Sequence, residues 1–210
     1  MQISFAAPSL NASGALVLGV GEGQSLTGLA QEADKASGGA LKRAMGGTKF
    51  NGKVGQVLEV LAPQGVKASR VLLTGTGKGL ESGAAEKLAA GIVARLYTTG
   101  VKEIAFSVEA PKLKPGVLAA HLAMGAKLRS YAFNTYRTKN RDEYETTITN
   151  VTVGTRDAAA ARKAGRTMEA IADSVFLARD LINEPPNVLY PAGFARRAKG
   201  LTKLGMKVDV

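Results

Sequence analysis

Two glycine-rich stretches have the composition of a phosphate-binding turn. Residues 75–79 read Gly-Thr-Gly-Lys-Gly directly after a predicted strand, and residues 19–23 read Gly-Val-Gly-Glu-Gly after another. Such turns can present backbone amides, here together with Lys78, to an anionic ligand. However, residues 75–79 lack both the earlier glycine and the Ser or Thr after the lysine of the common nucleotide-binding loop. We therefore interpret both stretches as tight turns and retain a phosphate site as the alternative.

Two further sets of residues have side chains that bind metals or act as bases. Asp142, Glu143 and Glu145 place three carboxylates close together, but carboxylates in a charged loop are usually solvated and no histidine lies nearby to complete a ligand set. His121 is the only histidine, and it falls in a helical pattern of apolar residues. We interpret it as a packed helix residue rather than a catalytic base. The sequence thus assigns no catalytic, cofactor-binding or metal-binding residue.

Short segments rich in branched residues alternate with helical patterns along most of the chain. Strands are predicted over residues 15–20, 54–61, 70–74, 103–109 and 146–153. Helices are predicted over residues 26–45 with a break at 37–39, over 82–97 and over 115–129. This alternation predicts an α/β fold whose mixed or largely parallel sheet is covered on both faces. Threonines alternate with other residues in the last strand, which predicts a half-exposed edge strand.

A long helix is predicted from residue 155 to residue 184. Apolar residues recur at steps of three and four along one stripe, formed by Ala164, Met168, Ile171, Val175, Ala178 and Ile182. We predict Thr155 as the N-cap and Asp157 in the first turn, where a carboxylate favours the positive end of the helix dipole. Pro185 ends the helix because it lacks an amide hydrogen. A helix of this length with one apolar stripe is typical of a link between two domains.

A further helix and strand are predicted after the prolines. Pro191 suits the first turn of a short amphipathic helix that contains Phe194 and Leu201, Gly205 ends it, and residues 206–210 alternate like a strand. We interpret these elements as the beginning of another domain. The chain is therefore divided into an amino-terminal α/β domain (1–154), a linker helix (155–184) and the start of a second domain (185–210).

The composition predicts a cytoplasmic protein. The 210 residues contain no cysteine, no apolar run long enough to span a membrane and no basic start of a signal peptide. The formal net charge is +11, which fits either a solvated surface or a nucleic-acid partner. We favour the solvated surface because aromatic residues do not interleave with the basic ones, and DNA binding stays the alternative.

Three segments carry a more specific resemblance. They read LARDLINEPPNVLYPAGFARRAKGL at residues 177–201, KFNGKVGQ at residues 49–56 and MGAKLRSYAFNTYRTK at residues 124–139. Together they resemble the leucyl aminopeptidase family, also called cytosol aminopeptidases, and the resemblance covers essentially the whole chain. It implies a macro-domain-like α/β domain with a mixed sheet, a long linker helix, and the first helix and strand of an incomplete α/β metallopeptidase domain.

The resemblance also implies an activity, cofactors and partners. Members of the family are hexamers that remove amino-terminal residues, commonly leucine, from peptides with two divalent metal ions, manganese or zinc, and some also bind DNA. The family's metal-binding stretch, of the form Asn-Thr-Asp-Ala-Glu-Gly-Arg, has no counterpart in these 210 residues. We therefore expect this chain alone to be inactive, to bind no metal and to expose its long apolar stripe. The alternative hypothesis is a free-standing binding module for nucleic acid or a phosphorylated small ligand.

Overall fold

The chain folds into two compact units, Met1–Ala172 and Asp173–Val210. A computed structural model describes residues 1–140 and 144–209. Asp142 and Glu143, two of the carboxylates considered as metal ligands, lie outside the described residues. Within the described ranges, no helix has the length and apolar character that crossing a membrane requires.

The first unit is built on one mixed sheet. Its seven described strands are β1 (Gln2–Ala6), β2 (Ala15–Gly21), β3 (Ser25–Leu26), β4 (Val57–Leu61), β5 (Arg70–Gly77), β6 (Glu103–Ser107) and β7 (Asn150–Gly154). Their order across the sheet is β1-β7-β6-β2-β5-β4, and β3 pairs with β2. The β2–β3 and β4–β5 pairs are antiparallel, whereas the other pairs are parallel. The predicted α/β fold with a mixed sheet is confirmed.

Helices cover both faces of this sheet. They are α1 (Gly28–Ala36), α2 (Ala40–Gly46), α3 (Ser82–Leu96) and α4 (Pro115–Arg129). Side chains of a strand point alternately to opposite faces, so β2 contributes to two separate cores. Val17 packs in the core that contains α3 and α4, whereas Leu16 and Leu18 pack in the core that contains α1 and α2. Burial on both faces explains why β2 reads as a continuous apolar run.

β7 lies inside the sheet, so its predicted edge position is wrong. It pairs in parallel with β6 on one side and with β1 on the other. The alternation in its sequence has a different cause: Val151 and Val153 are buried in the core, while the hydroxyl of Thr152 forms an exposed 3.2 Å hydrogen bond with that of Ser4. β1 is the edge strand on this side of the sheet, and the sequence did not predict it as a strand.

The long helix, α5, spans Ala158–Asn183. Its cap is Asp157, because a carboxylate oxygen of this residue accepts a 2.9 Å hydrogen bond from the amide of Ala160. Thr155, the predicted cap, instead accepts a 3.2 Å hydrogen bond from the amide of Asp157. The amide of Thr155 donates to the carbonyl of Ala6 in β1, which keeps it with the sheet rather than the helix. The predicted N-cap is therefore two residues too early.

The apolar stripe of α5 is only partly covered. Ala164 and Met168 are half-buried, but Ile171, Val175 and Ile182 are 46%, 37% and 83% exposed. The expected exposure of the stripe is therefore observed at its later positions.

The second unit contains the end of α5, then α6 (Pro191–Gly200) and a 3-10 turn over Leu201–Leu204. Arg197 donates a 2.6 Å hydrogen bond to the carboxylate of Glu184, which ties α6 to the residues after α5. Gly205 ends the turn with a φ of 86°. The predicted strand at residues 206–210 is wrong over its described part, because residues 206–209 form no strand. A strand needs a neighbour for its hydrogen bonds, and the described part of this unit contains none.

Candidate functional site

A cleft of about 920 Å³ opens at the carboxyl ends of the parallel strands. Four strands contribute their last residues to its lining, namely Gly19 and Gly21 of β2, Thr76 and Gly77 of β5, Ser107 of β6 and Gly154 of β7. In α/β proteins, ligands bind in the crevice outside the carboxyl ends of the strands. Small-molecule sites have volumes of about 300–1,000 Å³. This cleft, which lies wholly within the first unit, is therefore the candidate functional site.

The two glycine-rich stretches meet at this cleft because β2 and β5 are neighbours in the sheet. Gly21 is paired with Gly77 where the two strands end. Gly23 and Lys78, which follow them, also line the cleft. The sequence predicts each turn separately, and only the strand order brings them side by side.

Close packing of the backbone accounts for the glycine at position 75. A β-carbon at Gly75 would overlap with the carbonyl oxygen of Lys53, in the loop of residues 51–56. The amides of Gly75 and Gly77 donate hydrogen bonds of 2.9 and 2.8 Å to carbonyl oxygens of the same loop. Since these amides already have acceptors, the geometry favours tight turns over a phosphate-binding loop.

The floor of the cleft carries a hydroxyl without a hydrogen-bond partner. Ser107 is only 9% exposed, and no partner for its hydroxyl exists among the residues that the structure describes. By contrast, the hydroxyl of Thr76 donates to the carbonyl of Val20 at 3.2 Å. The hydroxyl oxygen of Ser107 is not among the fully buried side-chain atoms that lack a partner in the described residues, so it is accessible from the cleft and can hydrogen-bond a polar atom of a ligand.

Two helices begin at the cleft without a side-chain cap. Thr27 precedes α1 and Lys114 precedes α4, and neither side chain hydrogen-bonds the first amides of its helix. Thr27 and Pro115 line the cleft. The free amides and the dipole at a helix N-terminus favour a negatively charged group. The N-terminus of α5 differs, since Asp157 already caps it.

An ion pair between two lining residues lies at the start of α1. Arg156 donates a 2.7 Å hydrogen bond to the carboxylate of Glu109. A β-carbon at Gly28, the first residue of α1, would lie 3.1 Å from each carboxylate oxygen of Glu109. Gly28 has a φ of 50°, a conformation that favours glycine. The side chains of Arg156 and Glu109 are 71% and 44% exposed, and pairs as exposed as this contribute little free energy.

The sequence did not single out Ser107, Glu109 or Arg156. Ser107 and Glu109 belong to a predicted strand, and Arg156 lies just beyond another. All three residues lie at or just after the carboxyl end of a parallel strand, where ligands bind in α/β proteins. The sequence could have indicated this only if the direction and order of the strands had been known. The remaining charges of the lining, Glu22 and Lys78, oppose each other, so the lining as a whole is close to neutral.

The other residues considered for chemistry do not join this cleft. His121 does not line it; its Nδ1 atom lies 2.7 Å from Oε1 of Glu86, where α4 packs on α3. In residues 1–140 and 144–209, no three His, Cys, Asp or Glu side chains come together as a set of metal ligands.

Comparison with known families gives a match over most of the first unit. The model of the cytosol aminopeptidase family, N-terminal domain, matches residues 17–140. A probable cytosol aminopeptidase of Afipia carboxidovorans is 39% identical over 100% of this chain and 42% of its own length. Another, of Bradyrhizobium sp., is 42% identical over 84% of this chain and 36% of its own length. The chain thus spans about two fifths of the length of these curated relatives.

Two solved structures share the fold of this chain. A mutant of tomato leucine aminopeptidase matches with a TM-score of 0.81 and 22% identity, over 97% of this chain and 42% of that chain. The bottromycin maturation enzyme BotP in complex with Mn matches with a TM-score of 0.67 and 23% identity, over 92% of this chain and 37% of that one. At these identities the likeness shows a shared fold.

Proposed function

Because this chain belongs to the cytosol aminopeptidase family, we propose that it forms the amino-terminal part of a leucyl aminopeptidase-type enzyme, which releases amino-terminal residues from peptides. One observation carries this proposal: the whole chain aligns at 39% identity with a probable cytosol aminopeptidase more than twice its length. The family match to residues 17–140 supports the same assignment.

The metal ions of such an enzyme are proposed to bind outside these 210 residues. Two divalent ions, manganese or zinc, would supply a water molecule activated for attack on the peptide bond near neutral pH. The described residues do not fit such a pair, because no set of three potential ligands comes together among them. We therefore assign no catalytic step to this chain and expect it to be inactive alone.

This chain would serve as scaffold, linker and assembly surface. Val175, Ile182 and Phe194 are exposed apolar side chains of the second unit, at 37%, 83% and 53%. Exposed apolar patches are typical of surfaces that another domain or subunit covers. The family resemblance implies a homohexamer, which we propose for the whole enzyme. The absence of cysteine fits the reducing cytoplasm, which is the proposed location.

An assay of leucine p-nitroanilide hydrolysis tests this division of roles. We expect the purified 210-residue chain to release no p-nitroaniline above the metal-only blank, with either MnCl₂ or ZnCl₂ added. The full-length relative from Afipia carboxidovorans, assayed in parallel, is the positive control. Metal-dependent turnover by the 210-residue chain would show that the active site lies within it and would overturn the proposal.

A further inference from the structure

We propose that the cleft binds a small carboxylic acid with an apolar body, whose carboxylate replaces that of Glu109 beside Arg156 and the first turn of α1. The cleft belongs to the first unit, and this binding does not depend on the peptidase role proposed above. Three features carry the inference, namely a carboxylate position already occupied by the protein, an apolar lining, and a serine hydroxyl that faces the cleft and has no partner among the described residues.

The carboxylate of Glu109 marks where the carboxylate of the ligand would lie. It accepts a 2.7 Å hydrogen bond from Arg156 and lies against Gly28, where α1 begins without a side-chain cap. A guanidinium and a helix N-terminus both favour an oxyanion. Because Glu109 and Arg156 are partly exposed, their pairing contributes little free energy, and exchanging one carboxylate for another costs little.

The apolar lining gives the ligand a contact that the side chain of Glu109 does not make, namely burial of an apolar group. Val108, Leu113 and Leu118 line the cleft together with Pro8. An apolar group of the ligand would be removed from water against these side chains, and the gain grows with the area buried. The ligand would therefore compete with Glu109 through its body and through the first amides of α1, none of which donates a hydrogen bond to Glu109 in the described part of the chain.

The hydroxyl of Ser107 selects a ligand with a polar atom at the floor of the cleft. Ser107 is 9% exposed as a residue and lines the cleft, and its hydroxyl has no partner among the described residues. A ligand atom that replaces water as the hydrogen-bond partner of this hydroxyl gains a modest amount of affinity.

The charges favour a carboxylate over a phosphate monoester. The lining carries Arg156 and Lys78 against Glu22 and Glu109, so exchange of one carboxylate for another keeps the anion beside Arg156 singly charged. A dianion would add repulsion from Glu109, which stays tethered nearby. The amides of Gly75 and Gly77, which a phosphate would need, already donate to the loop of residues 51–56.

Three probes with the same aromatic body separate these chemistries. Phenylacetate, phenylacetamide and phenyl phosphate are each titrated into the 210-residue chain and followed by amide chemical shifts. We expect saturable binding of phenylacetate, with affinity about threefold higher than that of the neutral amide, because the amide cannot form charge-assisted hydrogen bonds with Arg156 and the first turn of α1. Phenyl phosphate should also bind more weakly than phenylacetate. Absence of saturable phenylacetate binding, equal binding of the amide, or tighter binding of phenyl phosphate would each overturn the proposal.

Substitutions then locate the site. Arg156→Ala should lower the affinity for phenylacetate about threefold, as expected for an exposed ion pair, and Ser107→Ala should lower it by a similar factor. Glu109→Gln should raise it about threefold, because the competing charge is removed. Arg95→Ala is the matched control, since Arg95 is also a half-exposed arginine paired with a glutamate, Glu59, and does not line the cleft.

The Glu109→Gln result is the sharpest, because a purely structural role for Glu109 would not raise affinity. Unchanged or weaker binding by Glu109→Gln overturns the exchange of carboxylates. An effect of Arg95→Ala as large as that of Arg156→Ala overturns the assignment to this cleft.

Discussion

The Nδ1 atom of His121 lies 2.7 Å from Oε1 of Glu86, so the only histidine of the chain joins α4 to α3. One helical turn further along α4, a β-carbon at Gly125 would overlap with the backbone carbonyl oxygen of Glu86. The two helices therefore approach closely along this line. The contact explains why a histidine and a glycine occur on a helix that otherwise buries apolar side chains.

The close approach predicts opposite effects for two glycine-to-alanine substitutions. Gly125→Ala should lower the free energy of unfolding by about 1–3 kcal/mol, because the added methyl group forces α3 and α4 apart. Gly91→Ala, in the middle of α3, should raise it by about 0.5–1 kcal/mol, because its β-carbon meets nothing within 4 Å and alanine favours a helix. Urea denaturation measures both. Equal effects of the two substitutions would contradict the close packing of the helices.

The cap of α5 gives a second prediction. Asp157→Ala should lower the free energy of unfolding of the first unit by about 1 kcal/mol, because the amide of Ala160 loses its acceptor. Asp157→Asn is the control and should have a smaller effect, since asparagine is also a good N-cap. Hydrogen exchange at the amide of Ala160 should be faster in the alanine variant only. Equal exchange rates in all three proteins would mean that Asp157 does not cap the helix.

The exposed apolar side chains of the second unit predict self-association. Ile182 and Phe194 are 83% and 53% exposed, so we expect the 210-residue chain to form oligomers or aggregates in light scattering. Ile182→Glu should reduce this association. Leu61→Glu is the control, because Leu61 is 66% exposed but lies on β4. A monodisperse monomer for the unsubstituted chain would contradict the prediction.

Nucleic-acid binding remains the alternative for the basic surface. Because the chain has a formal net charge of +11, we expect a short random-sequence DNA duplex to bind it only through the DNA phosphates, without sequence preference. The affinity should then fall at least tenfold between about 50 mM and about 200 mM salt, because counterions are released on binding. Fluorescence anisotropy of a labelled duplex measures this change. An affinity independent of salt would rule out binding through phosphates.

The sequence predicted local structure better than the arrangement of the elements. The helix over residues 115–129 is confirmed with the same bounds, because Pro115 at its start and its pattern are local signals. β1 was missed because only two of its five residues, Ile3 and Phe5, are partly buried, and an alternation this short is a weak signal. β7 was predicted at the edge because its alternating sequence indicates that only one of its faces is buried. An inner strand that lies next to an edge strand, as β7 does, can have the same pattern.

The cleft could not be predicted for the same reason. Glu109 and Arg156 come together because β6 and β7 are parallel neighbours in the sheet. The sequences of the two strands do not indicate that they pair with each other. The glycine stretches suggested a ligand site at nearly the right place. The structure instead assigns Gly75 and Gly77 to backbone packing against the loop of residues 51–56, and Ser107 and Arg156 to the lining.

The intact mass of the native protein, measured in an extract of its source cells, tests the proposed function most directly. The curated relatives are more than twice as long as this chain, so we expect a mass far above 21.7 kDa, with the metal-binding residues in the additional sequence. A mass of 21.7 kDa would contradict it. The native protein would then lack that additional sequence, and a binding module would become the leading explanation.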